Sequence, residues 1–123
     1  MATLGDRVFD AGLTALDTEA NRLDICSQEP ATYAEATSTY TLGNKTSLSV
    51  GAPGDRSGGG REVEVAAITD GSVSGTDTAT HWAISDTVNE RLLATGALSA
   101  DQAVTSGNTF TLAAFTIGIP DPA

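Results

Sequence analysis

In the stretch Ala79-Thr80-His81-Trp82-Ala83-Ile84-Ser85-Asp86-Thr87-Val88-Asn89-Glu90-Arg91-Leu92-Leu93-Ala94-Thr95-Gly96-Ala97-Leu98, residues 80–85 alternate with a period of two. Trp82 and Ile84 fall on one face and His81 and Ala83 on the other, which predicts a half-buried strand. Residues 86–90 have the length and polarity of a hairpin loop, so residues 91–98 return as the second strand. Downstream, Ser106-Gly107-Asn108 reads as a turn before a long last strand over 109–119. Phe110 and Leu112 share one parity there, and Phe115, Ile117 and Ile119 the other. A bulge near Ala113-Ala114 would bring both sets to one face.

Upstream the same period recurs in shorter pieces. Residues 22–27 alternate, with Leu23 and Ile25 on one face. Gln28-Glu29-Pro30 breaks the run. The Thr- and Tyr-rich residues 37–42 and the residues 45–50 are further candidate strands. Residues 61–68 form another, with Val63 and Val65 inward and Glu62 and Glu64 outward. Asp70-Gly71-Ser72 reads as a turn and residues 74–78 as a polar break. Residues 51–60 hold five glycines and a proline and read as a flexible loop.

The beginning of the chain has a different period. Leu4, Val8/Phe9, Leu13, Leu16 and Ala20 recur at helical spacing, which predicts an amphipathic helix over 3–20. Thr3 with Asp6 resembles a loose capping box, and a shorter helix from Asp6 is equally compatible. Gly12 inside the helix costs about 1 kcal/mol relative to Ala. Its lack of a side chain leaves room for close approach of another backbone. The expected fold is therefore mainly β, an antiparallel β-sandwich or barrel-like domain with one N-terminal α-helix. It spans 1–123 as a single domain, since no repeat or long linker divides the chain.

Composition narrows the function. Sixteen acidic residues against six basic ones leave a formal net charge of −10. Such a chain repels phosphate backbones and anionic bilayers, so neither nucleic acid nor membrane is expected as a partner. A basic protein surface suits it better. No apolar run is long enough to cross a bilayer, and no basic-then-apolar leader opens the chain, which points to synthesis and folding in a cytoplasm. The single cysteine, Cys26, excludes a disulfide within the chain; a buried, inert thiol is the first reading, and a bridge to another molecule is the alternative.

Chemistry-bearing motifs are sparse. As a general base the lone His81 would need a nucleophile and an orienting acid, and no local sequence signature supplies them; a solvent-facing His beside a core Trp is the better reading. One His and one Cys make no ordinary zinc site. The acidic run 70–77 lacks the ligand order of a calcium loop, and the glycines before Arg61 lack the Gly-Lys-Ser/Thr of a phosphate loop. No catalytic, cofactor-binding or metal-binding residue is assigned, and no cofactor is expected. Because basic residues are scarce, Arg56 and Arg61 in and beside the glycine-rich loop stand out as partner contacts. Leu4 and Val8 on the amphipathic N-terminal segment join them.

The segments Asp24-Ile25-Cys26-Ser27-Gln28-Glu29-Pro30, 79–86, Leu92-Leu93-Ala94-Thr95-Gly96-Ala97-Leu98 and 104–110, with Ile117-Gly118-Ile119-Pro120-Asp121-Pro122, give the chain its style. Over nearly its whole length it resembles small uncharacterised structural proteins of tailed bacteriophages and prophages. The resemblance carries no catalytic residues. It implies a virion protein made in a host bacterial cytoplasm, with other virion proteins as partners, the major capsid protein first among them. The first reading is a capsid decoration or cement protein on the outer head shell, working as a homo-oligomer. A neck, tail or tail-fibre component is the alternative. A small cell-wall hydrolase using His81 comes third.

Overall fold

The computed structural model describes residues 5–120. The helix predicted over 3–20 is α1, Asp6–Glu19. Thr3, and with it the proposed capping box, lies outside the described residues. Gly5 occupies the N-cap position and supplies no side-chain hydrogen bond. Phe9, Leu13 and Leu16 form the buried stripe that helical spacing predicts. Gly12 meets the Ile119 side chain, whose Cδ1 would lie 3.8 Å from an added Cβ.

Among the described residues nine strands follow: β1 (Arg22–Cys26), β2 (Thr41–Thr46), β3 (Gly54–Asp55), β4 (Arg61–Val65), β5 (Ile68–Val73), β6 (Asp77–Asp86), β7 (Arg91–Val104), β8 (Thr109–Leu112) and β9 (Phe115–Ile119). They form a six-stranded sheet ordered β7-β6-β1-β2-β5-β8 and a three-stranded sheet ordered β3-β4-β9. Every pairing is antiparallel. The fold is mainly β and sandwich-like, as the alternating pattern predicts. Leu23 and Ile25 of β1, Ile84 of β6 and Val63 and Val65 of β4 are fully buried between the layers. Each such side chain contributes roughly 1.5–3 kcal/mol by leaving water. The helix packs on β4, and Leu13, Leu16 and Ala20 complete the core.

Several local expectations are corrected. Residues 61–68 are not one strand: β4 ends at Val65, and Ile68 already opens β5 in the other sheet. Residues 37–42 are not one strand: Glu35–Thr39 is a single π-helical turn, and β2 starts at Thr41. Polar side chains hold that turn by bonding nearby backbone. The Thr37 hydroxyl donates to the Tyr33 carbonyl, and Thr32 accepts from the Glu35 amide. The candidate strand 45–50 stops at Thr46, because Ser47 adopts φ 55° and turns the chain. Val50 keeps only a single bridge to Val65. Asp70-Gly71-Ser72 lies within β5, and its glycine serves packing instead of a turn. Gly71 pairs with Phe110, whose ring occupies the space a Cβ would fill.

The last correction concerns 109–119. The break at Ala113-Ala114 is where the chain leaves the larger sheet as β8 and enters the smaller one as β9. Phe110 is buried in the core, and Leu112, Phe115 and Ile117 pack against it despite their opposite parities. A sheet switch does what the expected bulge would have done.

Between β1 and β2 the chain straps the outer side of the larger sheet. Ala36 of the strap packs on Cys26 and Ala83, which point away from the main core. Cys26 is fully buried there, and desolvation pushes its thiol up to about 12. The thiol is therefore protonated and inert in the folded chain. A bridge to a second molecule would require the strap to lift.

Candidate interaction surface

Three of the four contact candidates, Val8, Arg56 and Arg61, lie on elements that the structure joins. Leu4 falls outside the described residues. Arg61 opens β4 and points toward α1. Its Nε donates to Asp10 Oδ1 at 2.9 Å and one Nη to Asp10 Oδ2 at 3.2 Å. The other Nη donates to Asp55 of β3, and Asp6 stands 3.8 Å away. These carboxylates hold the guanidinium further above its already high pKa, the Asp10 bonds contributing most. Arg61 thus ties the helix and the glycine-rich hairpin into one surface and is committed within its own chain.

Arg56 sits in the hairpin turn. Gly58, Gly59 and Gly60 all have positive φ, which explains the run of glycines between β3 and β4. The residues 51–60 are therefore an ordered turn with a short strand, not a free loop. Arg56 donates to the Gly59 carbonyl at 3.1 Å, and its side chain lies across Gly118 of β9. It has no carboxylate partner among the described residues. On α1, Val8 is 58% exposed, and Arg7, Asp10, Ala11 and Thr14 line a shallow depression on the same helix.

The other chemistry-bearing groups have structural partners. His81 Nδ1 is 2.8 Å from the Thr80 hydroxyl, and Nε2 is 3.8 Å from Glu29. Asp86 accepts from the Val88 and Asn89 amides and the Asn89 side chain, and these bonds lower its pKa. Its carboxylate closes the β6–β7 turn as an Asx cap. Asp24, fully buried under the strap, is held by Arg22 and Thr41. No group of three or more His, Cys, Asp or Glu among the described residues is placed to hold a metal.

Sequence reasoning missed a second feature. The larger sheet ends at β7 and β8, and these edges approach without pairing. Residues 96–99 and 112–116 flank an open groove of about 420 Å³. Trp82 and Phe115 line it with their ring centroids 4.7 Å apart. None of its lining residues is charged. Trp82 lies over its cross-strand partner Gly96, where an added Cβ would come within 2.5 Å of the indole. The Gly96–Trp82 pairing was the one available signal, and it is visible only once the register is known.

No protein-family model, curated protein or solved structure matches this chain.

Proposed function

We propose that this protein is a virion structural subunit of a tailed bacteriophage that decorates the outer shell of the head, binding the major capsid protein. The observation that carries the reading is the Arg61 hub. It fixes the amphipathic helix against the glycine-rich hairpin, so that exposed Val8 and Arg56, which has no carboxylate partner among the described residues, lie on one rigid unit. A preformed surface binds without the ordering cost of a flexible loop. The formal charge of −10 favours a basic patch on the shell and keeps the free subunit soluble. The proposed place of action rests on the resemblance of the sequence to phage structural proteins alone.

In this reading Val8 and Arg56 touch the shell, and Arg61 positions them. Val8→Asp combined with Arg56→Ala is expected to leave the fold intact, because neither residue is buried. Incorporation into particles should fall about tenfold or more when the variant competes with wild type, the loss expected of an interface anchor. Quantitative mass spectrometry of purified particles measures the ratio. Equal incorporation would show that this face is not the attachment surface.

A further inference from the structure

Leu98 of β7 belongs to the main core, and Trp82 of β6, Leu112 of β8 and Phe115 of β9 pack against it. All four also line the groove between residues 96–99 and 112–116. The groove is therefore an opening in the side of the sandwich, floored by core side chains. Its volume, about 420 Å³, falls within the range of small-molecule sites, about 300–1,000 Å³.

Charge sets the first requirement on an occupant. No lining residue is charged, so an ion finds no counter-ion there and its burial is unfavourable. The net charge of −10 further repels anions. Glu29 reaches β7 at Thr95, but Thr95 pairs with Ala83 and shares its strap side of the sheet, away from the core that floors the groove.

The walls set the second requirement. Leu98, Leu112, Ala113 and Ala114 present carbon, and Trp82 with Phe115 forms an aromatic pair against which a further ring gains offset or edge contacts. One polar handle remains. The only enclosed side-chain polar atom without a partner among the described residues is the Ser85 hydroxyl. The Trp82 indole Nε1–H, which bonds to no described residue, is therefore reached by solvent and free to donate. A strand is a poor occupant, because the chain changes sheets at Ala113-Ala114 and no continuous ladder edge faces β7 there.

We propose that the groove binds a small, neutral, ring-containing hydrophobic molecule with one hydrogen-bond acceptor, the ring resting on Trp82 and Phe115 and the acceptor taking the indole N–H. The site shares no residue with the Arg61 hub, so an unused groove would leave the capsid reading untouched, and the reverse.

Trp82 is the one tryptophan of the chain, so isotope-labelled protein gives a single indole resonance in a two-dimensional proton–nitrogen spectrum. Quinoline, neutral at pH 7 and bearing one acceptor nitrogen, is the probe. It is expected to shift that resonance and the amides of residues 96–99 and 112–116 saturably, with a Kd in the low millimolar range or tighter. Quinaldate, the same ring with a carboxylate, should bind about tenfold more weakly or worse. So should N-methylquinolinium, which the net charge favours but the groove does not. Ala114→Phe and Ser99→Phe, at exposed positions on its two sides, each fill the groove and should weaken quinoline by about tenfold or more. Ala34→Phe, exposed on the strap, should not. The remaining resonances show whether each variant is folded. No saturable shift in wild type, equal or tighter binding of either charged analogue, or folded groove variants that bind as wild type does would overturn the proposal. Shifts at these residues that follow protein concentration without quinoline would place a second copy in the groove and equally overturn it.

Discussion

Arg22→Ala is expected to cost about 3–5 kcal/mol of folding stability, the usual penalty for leaving a buried charge without its partner. The Asp24 carboxylate is 0% exposed beneath the strap. Arg22 Nε donates to its Oδ1 at 2.7 Å and Nη2 to its Oδ2 at 2.8 Å. The Thr41 hydroxyl donates to Oδ2 at 2.6 Å and would remain as its hydrogen-bond donor. For a domain of this size the loss corresponds to a fall in Tm of roughly 10–25 °C. Replacing both members, as in Arg22→Met with Asp24→Leu, should recover most of it, because apolar residues of similar volume often substitute for a buried pair without loss. Thermal and urea melts of the single and double variants measure both terms. A single variant within about 1 kcal/mol of wild type would show that the pair does not hold the strap.

Gly43→Ala is expected to be nearly as damaging, for a steric reason. Gly43 lies in β2, between β1 and β5, at a register irregularity opposite Ile25 and Cys26. An added Cβ would collide with the Ser72 carbonyl oxygen and come within 3.0 Å of Val73 Cα. Both are backbone atoms, so relief requires β2 and β5 to part. Overpacking of this kind costs about 3 kcal/mol or more. Gly96→Ala makes a useful contrast. The group it meets is the Trp82 indole, a side chain that can rotate away at the expense of its contact with Phe115. Gly43→Ala should therefore lower soluble yield and Tm more than Gly96→Ala. The reverse order would mean that the β2–β5 contact is looser than described.

The fold was legible where alternation is clean. Leu23 with Ile25, Val63 with Val65, and Trp82 with Ile84 mark the faces of β1, β4 and β6 directly. Two of the misread segments share a physical cause, which is that glycine and threonine serve several purposes. Gly71 signals a turn by composition, yet its use is to seat the Phe110 ring inside β5. Thr37 suits a strand by propensity, but its hydroxyl bonds the backbone four residues earlier and holds a π-helical turn. The switch between sheets at Ala113-Ala114 leaves in the sequence only a change of parity, and a bulge produces the same mark.

The candidate surface was legible in part. The scarcity of basic residues pointed to Arg56 and Arg61, but Asp10 lies 51 residues from Arg61, and no local pattern joins them. Among sixteen acidic residues, nothing but the fold selects Asp10 and Asp55 as its partners.

The central claim concerns where this protein acts, and location tests it most directly. Purified phage particles labelled with a gold-tagged antibody against this chain, imaged by electron microscopy, should carry gold spread over the whole head surface. Gold confined to the neck, tail or fibres, or particles that carry no gold, would contradict the decoration account.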